Sequence, residues 1–100
     1  VKIRRTSVYK KWITSLRDSR ARYRILTRIK RLEEGNSGDV EPVGEGISEL
    51  RIHYGPGYRV YYKDTDREIV ILLCGGDKTT QQEDIARAKQ IALSPLEEEE

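Results

Sequence analysis

One hundred residues bound the chain to a single small domain, and with 36% apolar and 36% charged residues its core must be lean. The single cysteine, Cys74, excludes an internal disulfide framework and a cysteine-rich zinc site, and no run approaches the roughly 20 apolar residues of a membrane-crossing helix. The net charge of +2 conceals a strong polarity: residues 1–31 carry twelve Lys or Arg against Asp18 alone, while the rest carries seven basic and sixteen acidic side chains.

Such asymmetry points to an anionic partner, with nucleic acid foremost; a well-solvated helical face accounts for the same charges equally well. No signal peptide or metal-binding cluster is visible, so a cytoplasmic protein without cofactor or metal is expected. The chain begins at Val1 and contains no Met, which implies that its initiator is missing. Residues 1–94 are expected to form the domain, and residues 95–100, ending in four glutamates, an acidic and disordered tail.

The opening Val1-Lys2-Ile3-Arg4-Arg5 alternates apolar and basic residues and predicts a short edge strand. Thr6 or Ser7 can cap a helix whose apolar stripe is Val8, Trp12 and Leu16, widened by Tyr9 and Ile13. Arg17-Asp18-Ser19-Arg20 reads as a tight break. A second helix is expected from about Ser19 to Glu34, with Ala21, Ile25, Ile29 and Leu32 inward, assisted by Leu26, and Gly35 stopping it. Arg20, Arg24, Arg28 and Arg31 follow at steps of four, four and three, so they share one positive face. So short a break predicts that the two helices pack as an antiparallel hairpin.

From Gly35 to Gly46 the composition of Gly, Asn, Ser, Asp, Pro and Glu predicts a long loop. Three strands are expected next, over Ile47–Tyr54, Tyr58–Lys63 and Glu68–Cys74, joined by Gly55-Pro56-Gly57 and Asp64-Thr65-Asp66. The last is a nearly unbroken apolar run, as in a central strand covered on both faces, and Cys74 within it reads as a buried structural thiol. Gly75-Gly76 ends it. Thr79 or Thr80 can cap a final helix with Ile85, Ala88 and Ala92 inward, closed by Ser94-Pro95. The order implies an α+β fold, an antiparallel sheet of about four strands with helices on one side and at the ends.

Strand alternation groups the candidate functional residues. Arg51 and His53 are two apart, as are Arg59 and Tyr61 on the next strand, while Ile52 and Val60 point to the core. His53 is the residue suited to proton transfer near neutral pH. Arg51 and Arg59 can grip a phosphate with forked donors; the competing reading is a cross-strand ion pair with Glu49 or Glu68. Lys78 follows the Gly pair, where an ammonium can approach a phosphate, and Asp77 orients it or begins the turn. Tyr58, Tyr61 and Tyr62 are candidates to stack on an unpaired base, although alternation sends Tyr58 and Tyr62 to one face and Tyr61 to the other, so at least one Tyr belongs to the core.

The chain resembles a known family. Leu16-Arg17-Asp18 with Ala21-Arg22, and then Gly35-Asn36-Ser37-Gly38-Asp39, are similar to the opening half of the HigB-like branch of RelE/ParE toxins. The likeness continues through Pro42-Val43-Gly44, Glu49-Leu50-Arg51-Ile52, Gly55 to Tyr61, Gly75-Gly76-Asp77-Lys78, Gln82 and Asp84-Ile85, and so spans about Ile3 to Ala92. The resemblance implies a helical hairpin on a twisted, mostly antiparallel sheet. It implies a partner, a small helix-turn-helix antitoxin from the adjacent gene, and messenger RNA cleavage inside the translating ribosome. Basic residues at the Arg51 and Arg59 positions are what the family's cleft leads one to expect.

One stretch departs from the pattern. Ribosome-dependent relatives often carry Tyr, His or further basic residues near the C-terminal end, whereas Thr79 to Ile85 here holds none. Nuclease chemistry then falls to His53, Arg51, Arg59 and Lys78, with the helical Arg20, Arg24, Arg28 and Arg31 holding RNA. Rival readings are non-enzymatic poisoning of DNA gyrase, as in the ParE branch, and a non-toxic RNA- or protein-binding module of the same fold.

Overall fold

The computed structural model describes residues 1–65 and 67–94. Five strands and three helices follow in the order β1 (Lys2–Arg5), α1 (Ser7–Ser15), α2 (Ser19–Glu33), β2 (Val40–Gly44), β3 (Ile47–Ile52), β4 (Tyr58–Asp64), β5 (Ile69–Gly76) and α3 (Gln81–Leu93). A single 3-10 turn, Lys78–Thr80, leads into α3. The predicted α+β class is correct. The sheet order is β1-β5-β4-β3-β2, with β1 parallel to β5 and every other pair antiparallel.

Local chemistry sets the helix starts. The Thr6 hydroxyl accepts from the Tyr9 amide at 3.1 Å and donates to the Leu73 carbonyl at 2.7 Å, so one side chain caps α1 and ties it to β5. Asp18 caps α2, its Oδ1 accepting from the amides of Arg20 at 3.0 Å and Ala21 at 3.2 Å. Gly35, at φ +91°, takes the left-handed conformation that follows the end of α2. α1 lies over β5 and α2 over β3.

The helices do not sit on one side and at the ends, as the sequence pattern suggested. Val70 and Leu72 of β5 join α1 and α2 in one core, with Tyr9, Ile13, Ile25, Ile29, Leu50, Ile52 and Val60. Ile71, Leu73 and Cys74 turn the other way, with Ile47 and Tyr61, and Ala88 of α3 covers them. A β5 that is apolar on both faces requires cover on both, and α3 supplies the second. Cys74 is buried as expected, and burial raises its thiol to about 12.

The expected long loop also contains a strand. β2 pairs with β3 at the sheet edge, Val40 opposite Leu50 and Glu41 opposite Glu49, with an irregularity between Pro42 and Gly44. Pro42 is tolerated because the strand is an edge. Glu45 and Gly46 both have positive φ, +56° and +78°, so the hairpin turns through two residues with a side chain where Asn or Asp is usual. That substitution hid the turn from the sequence reading. β3 stops at Ile52, two residues short of its predicted end, and β5 runs through Gly76. Asp66 of the second predicted turn, Pro95 and the acidic tail 95–100 lie outside the described residues. Among those described, no helix is long and apolar enough to cross a membrane.

Candidate functional site

Arg51 and Arg59 are register partners on β3 and β4, facing the α3 side of the sheet. Between them lies Glu49, fully buried. Its Oε1 accepts from Arg51 Nε at 3.1 Å, and its Oε2 accepts from Tyr61 Oη at 3.0 Å and Gln81 Nε2 at 2.8 Å. Arg59 Nε completes the cluster at 3.5 Å from Glu49 Oε2, an ion pair too loose for a good hydrogen bond. A buried carboxylate requires such compensation, because its charge has lost water. The cross-strand pairing with Glu49 is therefore present, yet both arginines also line an open cleft of about 430 Å³. Arg59 donates Nη1 to the Gly57 carbonyl at 2.7 Å with its side chain 13% exposed, while Arg51 reaches Glu41 through Nη2.

The remaining walls of this cleft are Ile52, His53, Tyr54, the Gly55-Pro56-Gly57 turn, Tyr58 and Lys78. His53 stands one residue beyond the end of β3, 76% exposed, with its Nε2 against Asp39 Oδ2. Trp12 fixes the Tyr58 wall by an edge-on ring contact at 6.4 Å. The same indole lies on Gly75, where a Cβ would come within 2.3 Å of it, and on the following residue a Cβ would meet Asp84 Oδ2 at 1.8 Å. The Gly75-Gly76 pair thus exists to admit Trp12 and Asp84. Asp77 caps the turn that carries Lys78, its Oδ1 accepting from the Thr79 amide at 2.8 Å.

A second, larger cleft of about 650 Å³ adjoins the first through Ile52 and His53. Arg20, Arg24, Arg28 and Arg31 all line it, so the helical spacing read from sequence does place them together. Arg24 stacks its guanidinium 4.8 Å from the centre of the Tyr54 ring, and Tyr54 donates its hydroxyl to Asp18 at 3.1 Å. Arg28 differs from its neighbours. It donates Nη2 to the carbonyls of Ser37 at 3.0 Å and Asp39 at 3.2 Å, and Nη1 to the Arg51 carbonyl, so it fastens the 37–39 segment to β3.

The structure thus brings Arg51, His53, Tyr58, Arg59 and Lys78 to one cleft and Arg20, Arg24, Arg28 and Arg31 to the next. It does not bring Tyr61, which alternation turns inward beneath α3, fully buried with its hydroxyl on Glu49, or Tyr62, which is buried in the core on the opposite face. Sequence reasoning assigned no place in the site to Asp39, Glu41, Tyr54 or Gln81. Asp39 and Glu41 escaped because their segment read as loop. No group of three or more His, Cys, Asp or Glu able to hold a metal ion occurs among the described residues.

A protein of Haemophilus influenzae described as uncharacterized is 50% identical over 92 residues, covering 92% of this chain and 93% of its own length. No solved structure matches significantly. Residues 11–94 match the family model described as phage derived protein Gp49-like (DUF891). The chain belongs to this Gp49-like family, part of the RelE-type group of toxin-like proteins.

Proposed function

We propose that this chain is the toxin of a type II toxin–antitoxin pair, of the HigB-like kind, and that it arrests translation in the cytoplasm by cutting messenger RNA on the ribosome. The observation that carries the reading is the cleft in which His53 and Lys78 stand exposed beside the paired guanidiniums of Arg51 and Arg59. RNA cleavage through the 2′-hydroxyl needs a proton acceptor, a proton donor and cations around the pentavalent phosphate. His53 supplies proton transfer. Glu49 faces the Nε of Arg51 and Arg59, Glu41 takes Arg51 Nη2 and the Gly57 carbonyl takes Arg59 Nη1, so phosphate is left the remaining terminal nitrogen of each, and Lys78 adds a point charge across the cleft. Tyr58, steadied by Trp12, offers a ring face to a base. The adjoining arginine-lined cleft takes ribosomal or message backbone. A small helix-turn-helix antitoxin is the expected partner.

The reading is tested by adding the purified protein to ribosomes programmed with a defined message. Cleavage within translated codons is expected, together with at least tenfold slower cutting by His53→Gln and by Lys78→Ala. Both side chains are exposed, so these variants leave the core intact. Uncut message with normal rates of elongation would refute it.

A further inference from the structure

The single histidine of the chain meets an acid delivered by the segment that enters the edge strand. That contact is held at both ends. Asp39 gives its carbonyl to the Arg51 amide at 3.0 Å and to Arg28 Nη2, and Arg28 also holds the carbonyls of Ser37 and Arg51. Gly38, at φ +64°, completes the fit, since a Cβ there would come within 2.9 Å of Arg28 Nη2. His53 in turn follows β3 by one residue, so its backbone is carried by the sheet. Two independent tethers, one from α2 and one from β3, bring carboxylate and imidazole together at the seam between the two clefts.

We propose that Asp39 is a positioning residue for His53, anchored by Arg28, and that it fixes which ring nitrogen faces the ligand; this rests on the cleavage reading given above. An ionised carboxylate only accepts hydrogen bonds, so Nε2 carries a proton and Nδ1 is the atom presented to the cleft. The bond from His53 is the main cause holding the Asp39 carboxyl below the usual carboxylate range, which keeps it ionised.

The test is Asp39→Asn, isosteric and 42% exposed at the side chain, with a melting curve to confirm the fold. Because the chain has one histidine, its imidazole proton signals are read by NMR without ambiguity. The Nε2-protonated tautomer, read from the ring nitrogen shifts of the neutral imidazole, is expected to dominate in the parent, to lose ground in Asp39→Asn and in Arg28→Gln, and to return in Asp39→Glu. For message cleavage by Asp39→Asn, kcat falls while KM holds. An unchanged tautomer distribution overturns the proposal. So does faster cleavage by Asp39→Asn, which makes the carboxylate a competitor of phosphate. A distribution that shifts in a protein unable to cut message upholds the Asp39–His53 pairing and removes the nuclease reading alone.

Discussion

Arg51 stands directly across from Arg59 on the neighbouring strand, and the two like charges are reconciled by one buried carboxylate, Glu49, touching the Nε of each. Like charges opposite one another weaken a sheet, and a buried acid without partners is worse, so each half of the cluster depends on the other. Glu49→Ala is expected to cost about 3–5 kcal/mol in urea unfolding, because two guanidiniums and the Tyr61 and Gln81 donors lose their acceptor. For the same reason Arg51→Ala and Arg59→Ala lose stability as well as activity. A Glu49→Ala cost under about 1 kcal/mol would show that the cluster does not hold the strands.

Gly75 bears on the same cleft from beneath. Gly75→Ala pushes a methyl group into the Trp12 ring, which also supports Tyr58. Overpacking of this kind costs about 1–3 kcal/mol. With one tryptophan in the chain, a shift in its emission reports the displacement directly. Unchanged emission and stability would mean that the indole has room the geometry denies it.

Alkaline stability follows from groups that are more protonated in the fold than in the unfolded chain, Cys74, Tyr9 and Tyr61 being shifted most and Tyr58 and Tyr62 in the same direction. Burial pushes both the Cys74 thiol and the Tyr9 hydroxyl up to about 12, and raises the Tyr61 hydroxyl, where Glu49 adds to the effect. Unfolded thiols release their proton near pH 8.5 and phenols near pH 10. Above those values the unfolded chain binds fewer protons, so stability is full below about pH 8 and falls as pH rises. The urea midpoint measured from pH 7 to 11 is expected to drop in two stages. Cys74→Ala should flatten the stage below pH 10 against its own pH 7 value.

The four arginines of α2 divide by partner. Arg20→Ala, Arg24→Ala and Arg31→Ala are expected to weaken binding of an uncleavable single-stranded RNA irrespective of sequence. Removing one cation from a phosphate reduces the salt slope by about 0.7. Arg28→Ala should instead lower thermal stability and loosen segment 37–39, since its donors go to three carbonyls. Fluorescence anisotropy across a salt series, beside melting curves, separates the two behaviours.

Much of this was legible in the chain itself. Helical spacing placed Arg20, Arg24, Arg28 and Arg31 on one surface, and strand alternation placed Arg51 with Arg59 and sent Ile52 and Val60 to the core. What escaped was set by contacts distant in sequence. β2 was hidden by Pro42 and by a turn using Glu45, and with it went Asp39 and Glu41, whose partners lie ten or more residues away. The second sheet face needed α3, whose apolar stripe is short, so its position followed from β5 rather than from its own pattern. Tyr61 looked like ligand chemistry and lies buried with its hydroxyl on Glu49. Side-chain type alone does not separate a cleft wall from a core wall two residues away.

The claim on which the rest depends is that this cleft severs message during translation. Mapping 5′ ends of transcripts shortly after induced expression measures it across every message at once. New ends confined to translated codons, absent with His53→Gln, are the predicted result. Intact transcripts accompanied by broken DNA would contradict it and assign the arrest to gyrase.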